Sequence, residues 1–250
     1  MGRRAGMLLA CAVACLPIAS DARAAFVRLV ITAIDVDEAG KQLTVYTVAA
    51  RFDGPNDAVI MAYQLGSEKP DNFKGFWHRD LTTAPTEESE PALTQDAGTW
   101  NPTLVGSVKT NRPFDSYLTI GGEAGQRNST IADPSWAKAD GGSRSWTRPD
   151  LPATGLTGWY VAARGPASSG RAGNSKNYEI NGKPTLENAA TDVRLAQFVL
   201  SRGHAPREFT LTVAWNDGTE GKPQVYATEK FTLGGEGAKA ARAAATGAKP

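Results

Sequence analysis

Apolar and β-branched positions gather at the two ends of this chain and thin out in its middle. Residues 26–34, FVRLVITAI, are rich in β-branched side chains and predict a strand, followed by a turn at Asp37-Glu38-Ala39-Gly40. Residues 41–52, KQLTVYTVAARF, are apolar on both faces, the pattern of a central strand covered on two sides. Asp53-Gly54-Pro55-Asn56 stops it. Residues 57–65 then place Val59, Met61, Tyr63 and Leu65 at spacing two. Two long strands across a short Gly/Pro/Asn turn predict a hairpin.

Residues 66–112 change character. They hold Pro70, Pro85, Pro91 and Pro102 and the acidic run Glu87-Glu88-Ser89-Glu90, and predict irregular loops with short strands at 73–77 and 103–108. Residues 115–121, DSYLTIG, predict a strand, and 158–164, GWYVAAR, a short buried one. Between and after them, 122–158 and 165–177 are loop-rich. Order returns at 192–201, apolar on both faces. Phe209, Leu211, Val213 and Trp215 alternate with Thr210, Thr212, Ala214 and Asn216, a half-buried strand ended by Asn216-Asp217-Gly218. Residues 223–233 supply a last strand, and the three strands from 192 to 233 predict an antiparallel meander. Only 183–190 has room for a turn or two of helix.

Many strands without βαβ alternation predict an all-β fold, an antiparallel two-sheet β-sandwich, Ig-like or jelly-roll, with long loops, over residues 25–233. A closed barrel is the alternative. An outer-membrane barrel would alternate throughout, and the long polar segments break that pattern.

The first 24 residues read as a signal peptide. Arg3 and Arg4 make a basic start, residues 7–19 an apolar run, and Ala22-Arg23-Ala24 an A-x-A cleavage site. The run is shorter than the roughly 20 residues that span a bilayer. Cys11 and Cys15 offer a lipoprotein variant of the leader, and Arg3-Arg4 a twin-arginine variant, but Ala5-Gly6-Met7 does not continue the latter. The ordinary secretory leader fits best, and the expected location is extracellular, or periplasmic where the host has an outer membrane. Both cysteines lie in this segment, so the mature chain is expected to be disulfide-free and without thiol chemistry. Removing Arg3, Arg4, Arg23 and Asp21 turns 27 basic and 26 acidic residues into 24 and 25, nearly neutral. No nucleic-acid partner is implied, and no later apolar stretch forms a transmembrane anchor. The Gly- and Ala-rich residues 234–250 predict a disordered tail.

Three segments loosely resemble uncharacterised secreted bacterial β-rich proteins: VYTVAARFDGPNDAVIMAYQLG, PFDSYLTIGGEAGQ, and GWYVAARGPASSGRAGN leading into VRLAQFVLSRGHAPREFTLTVAWNDG. The resemblance covers residues 43–233. It implies secretion and a β fold, and it brings no activity and no site residue.

Candidate chemistry is sparse. His78, in Phe76-Trp77-His78-Arg79-Asp80, is a candidate general base, set against a strand-end histidine. There is no G-x-S-x-G. Glu123 is the least poor carboxylate for glycoside hydrolysis. Asp35, Asp37 and Glu38 offer oxygens to calcium but lack the loop spacing that binds it, so a polar turn is expected. No metal site and no cofactor is implied. The tryptophans say more. Trp159 and Trp215 lie on strands and belong in the core. Trp77, Trp100, Trp136 and Trp146 lie in polar, loop-rich segments, where rings either stack on sugars or pin loops to the sandwich. The expected function is a non-enzymatic binding module of the cell envelope or extracellular matrix, with a glycan or an envelope protein as partner. A carbohydrate-binding module or carbohydrate-active hydrolase is the alternative.

Overall fold

Ala39 and Gly40 both adopt left-handed backbone, with φ of 47° and 72°. Two such residues in a row make the tight turn that matches the twist of a two-stranded ribbon. They join β1 (Phe26–Glu38) to β2 (Lys41–Phe52), which pair antiparallel from Glu38↔Lys41 back to Phe26↔Phe52. The hairpin belongs to a computed structural model that describes residues 25–79, 93–95, 100, 114–122, 130–133, 150–153, 155, 157–161, 170–219 and 221–235.

The remaining strands are β3 (Ala58–Gly66), β4 (Tyr117–Leu118), β5 (Thr130–Ala132), β6 (Thr157–Val161), β7 (Glu179–Ile180), β8 (Lys183–Pro184), β9 (Asp192–Ser201), β10 (Arg207–Asn216) and β11 (Val225–Leu233). One sheet runs β1-β2-β9-β4 and the other β11-β10-β3-β6-β5, antiparallel throughout. The two pack face to face as the expected all-β sandwich. A small β7–β8 hairpin belongs to neither sheet.

Two expected connections are overturned. β2 and β3 do not form a hairpin. Both edges of β2 are occupied, by β1 and by β9, so β3 has no place beside it and crosses to the other sheet. The last three strands are not a meander either: β9 lies in the first sheet, while β10 and β11 pair in the second. The sandwich is thus built on two arches, β2→β3 and β9→β10. Their first strands are neighbours in one sheet and their second strands neighbours in the other.

Local expectations also shift. Residues 73–77 are not a strand. Pro70 opens a 3-10 turn over Pro70–Phe73, and beyond it only an isolated bridge, His78↔Thr94, forms. The 103–108 expectation lies outside the described residues. Of residues 115–121 only β4 counts as a strand, although the Thr119 and Gly121 N–H groups still donate to Leu195 and Arg194 carbonyls of β9. Residues 183–190 hold β8 and turns, not helix: the Thr185 and Leu186 N–H groups are taken by the Tyr178 carbonyl and the Asn177 side chain.

Between the sheets the core runs as two aromatic groups. Phe26, Phe52 and Trp215 meet at one end, with ring centroids 5.3–6.0 Å apart. At the other, Phe231, Phe209, Phe198, Phe76 and Trp100 form a chain at 5.1–6.4 Å. A second core covers the outer face of the first sheet. It joins Ile34, Val36, Leu43, Val45 and Val199 to Tyr178 and Ile180, with Trp77, Leu93 and Phe114 packed against it. This explains why β2 and β9 are apolar on both faces. The outer face of the second sheet has no such cover among the described residues.

Candidate functional site

β3 carries two irregularities that decide what this outer face presents. Pairing with β10 slips once beside Val59 and again near Gln64, whose φ is +55°. A bulge adds a residue and turns the following side chains to the other face. Val59, Ala62 and Leu65 therefore enter the core, and Met61 and Tyr63 point out. The spacing-two reading had put Val59, Met61, Tyr63 and Leu65 together, and the bulges split them.

Register then assembles a row across all five strands: Tyr226 opposite Ala214, Ala214 opposite Met61, Met61 opposite Tyr160, Tyr160 opposite Ile131. Tyr226 and Ile131, at the two ends, are 58% and 40% exposed, and exposure falls inward to the fully buried Ala214. Tyr63 stands beside the row, edge-on to Tyr226 with ring centroids 6.2 Å apart. Gly158 of β6 makes room for it: a Cβ there would lie 2.9 Å from the Tyr63 Cβ. Burial, and Tyr226 nearby, push the Tyr63 phenol upward, so it stays neutral.

The next row is polar but internally satisfied. The Thr212 hydroxyl donates to Gln64 Oε1 at 3.0 Å and therefore accepts from the Thr228 hydroxyl at 2.7 Å. Beyond it, Lys230 pairs with Glu208 at 3.1 Å in solvent. The face grades from apolar to charged along the strands.

The four candidate tryptophans do not share this surface. Trp100 is fully buried, against Phe76, His78 and Phe198. It presents no exposed ring and pins its segment to the core. Trp77 is half-buried on the second core; its indole donates to Ser201 Oγ at 3.1 Å and Lys41 lies over the ring at 5.7 Å. Trp136 and Trp146 lie outside the described residues. Trp159 and Trp215 are buried in the core as expected, Trp159 donating to the Thr119 carbonyl at 2.9 Å.

His78 is enclosed. Its Nδ1 lies 3.6 Å from Asp115 Oδ1, and its ring stands edge-on to Trp100 at 4.7 Å. Asp115 accepts from the Arg79 N–H, and its carboxyl is pushed well up by loss of water. The pair opens a buried chain across the outside of the first sheet. The Gln197 amide donates to the Asp115 carbonyl, the Tyr178 hydroxyl donates to Gln197, and Tyr117 meets Tyr178 at 2.9 Å. Arg194 stacks on Tyr178 at 4.4 Å and donates to the Gly122 and Lys176 carbonyls and to Thr185. These groups hold the second core's segments to β9.

Glu123 lies outside the described residues. Asp35 and Asp37, at the end of β1, face Arg202, and Glu38 pairs with Arg79, so all three carboxylates have cationic partners beside the β1–β2 turn. Among the described residues no group of three His, Cys, Asp or Glu side chains could hold a metal ion. No described helix is long and apolar enough to cross a membrane.

From sequence alone no site role falls to Tyr63, Tyr160, Tyr226, Met61 or Ile131, because the candidates follow tryptophan. The available signal was tyrosine on strands, out of phase with the core positions. No family model matches this chain, and no curated protein or solved structure matches it either.

Proposed function

We propose that this chain is a non-enzymatic, extracytoplasmic binding module that holds a partner protein on the outer face of its second sheet. The row from Tyr226 to Ile131 carries the reading: uncharged side chains from five strands make one surface, and its rims stand out into water. Two exposed rims, Tyr226 and Ile131, with half-buried Met61 and Tyr160 between them, support an interaction site, and tyrosine and methionine are enriched in such sites. The leader-like first 24 residues support the location.

The partner class follows from the neighbouring row. A sugar needs aromatic rings with free hydrogen-bonding groups beside them. Here Thr228, Thr212 and Gln64 bond one another, and Met61 and Ile131 are flexible or aliphatic rather than flat. A protein surface suits that better. The Tyr63–Tyr226 pair is what favours a glycan instead.

A photo-crosslinking residue at position 226, in the full chain exported by a bacterial host, tests the proposal. The expected result is a discrete protein adduct that a Met61→Lys change abolishes and that a probe at Lys183, on β8, does not give. Adducts at both positions alike, or none at either, would overturn it. Retention on a polysaccharide matrix that Tyr226→Ala abolishes would put the glycan reading in its place.

A further inference from the structure

Ala25 is held by Asp53 through both its backbone nitrogen and its carbonyl. The Ala25 nitrogen lies 2.8 Å from Asp53 Oδ1, and the Asp53 N–H donates to the Ala25 carbonyl at 3.1 Å. The next residue, Phe26, is already in the core between Phe52 and Trp215. Ala25 also directly follows Ala22-Arg23-Ala24. Cleavage at that motif would convert a neutral amide, with one proton to donate, into an α-ammonium with three protons and a full charge, 2.8 Å from a carboxylate.

From this placement, and resting on the reading of residues 1–24 as a leader, we infer that processing after Ala24 creates an ion pair between the new amino terminus and Asp53, making the mature terminus part of the sandwich's closed end. The bond that breaks is the 24–25 peptide bond, hydrolysed by the export peptidase. The carboxylate product leaves with the leader, and the amine takes up a proton.

The surroundings favour the added charge. Asp53 begins the arch between β2 and β3. Asp57 closes it, with both carboxylate oxygens buried. Asp217, in the β10–β11 turn, adds a third carboxylate to the field at Asp57. Facing them are Arg171, which bonds Asn56 and Gly218, and Lys222 beside Asp217. Against three acids, a new ammonium is a counter-charge placed by the fold.

The test exports the full chain from a bacterial host, measures its intact mass, and follows the α-amine's reaction with an amine-directed reagent at pH 7. The expected result is a chain beginning at Ala25 whose amine reacts about two- to fivefold more slowly than in the Asp53→Asn variant, the scale of an exposed ion pair. Inserting Gly-Ser between Ala24 and Ala25 leaves Asp53 in place but moves the amine off it, and should give the same faster reaction even where Asp53→Asn fails to fold. A chain beginning at Ala25 whose amine reacts at the same rate in all forms overturns the ion pair and leaves the leader reading standing. A different start, or a lipid on Cys11 or Cys15, overturns the leader reading and the ion pair with it.

Discussion

Asp57 shows how one side chain sets a pH response. Burial, then Asp53 and Asp217, push its carboxyl up to about 6, with the Gly54 N–H and Arg171 offsetting part of this. An unfolded aspartate titrates at roughly 3.9. Between those values the folded chain keeps the proton and the unfolded chain has lost it, so this group's contribution to stability falls as pH rises from about 4 to about 6. Asp115 acts in the same direction. Asp57→Asn, which removes the buried charge facing Asp53 and Asp217, should therefore raise stability at pH 7 by about 1–3 kcal/mol and flatten the slope between pH 4 and 6. Urea unfolding across that range checks both. Trp215 is the converse case. Its alternation with Phe209, Leu211 and Val213 placed it inward, and it packs on Phe26 and Phe52 as that pattern required. Trp215→Ala should cost about 3–5 kcal/mol. An unchanged denaturation midpoint would contradict that packing. Trp100 was harder to place from sequence. A tryptophan in a polar segment has the same local pattern whether it faces water or, as here, plugs the core beside His78.

At the level of elements, periodicity located most of the strands and missed how they connect. β2 and β9 read as doubly buried because they are, sheet on one side and second core on the other. Their partners could not be read, because pairing depends on which edges remain free, a property of the whole sheet. The Gly/Pro/Asn run after β2 signals a reversal of direction equally well in an arch and in a hairpin. The tyrosine row was hidden for a related reason: each bulge in β3 adds a residue that the alternation cannot reveal. The β1–β2 turn, by contrast, is local. Ala39 is held at φ 47°, a region where its Cβ is strained and asparagine is tolerated. Ala39→Asn should raise stability by about 0.5–1 kcal/mol, seen as a higher thermal midpoint. Gly40→Val, at φ 72°, should lower it.

For the molecule as a whole, the two outer faces divide the labour. One is roofed by the β7–β8 hairpin and its neighbours, and the other has no such cover among the described residues. Met61→Lys on the open face should leave stability within about 0.5 kcal/mol of the parent, as surface changes do, while removing the adduct expected at Tyr226. A large loss of stability would mean that segment is covered. The interlocked arches bear on something else, the order in which the molecule can form. The pairings that lock the two arches together join an early strand to a late one: β2 waits for β9, and β3 waits for β10, some 150 positions downstream. Closing loops of that length precedes any gain from the pairing, which makes folding slow. A chain emerging amino end first therefore has the β1–β2 ribbon early and the β3–β6, β5–β6 and β7–β8 pairings next, but neither arch closes until β9 and β10 follow. The same topology that locks the finished sandwich keeps the travelling chain open.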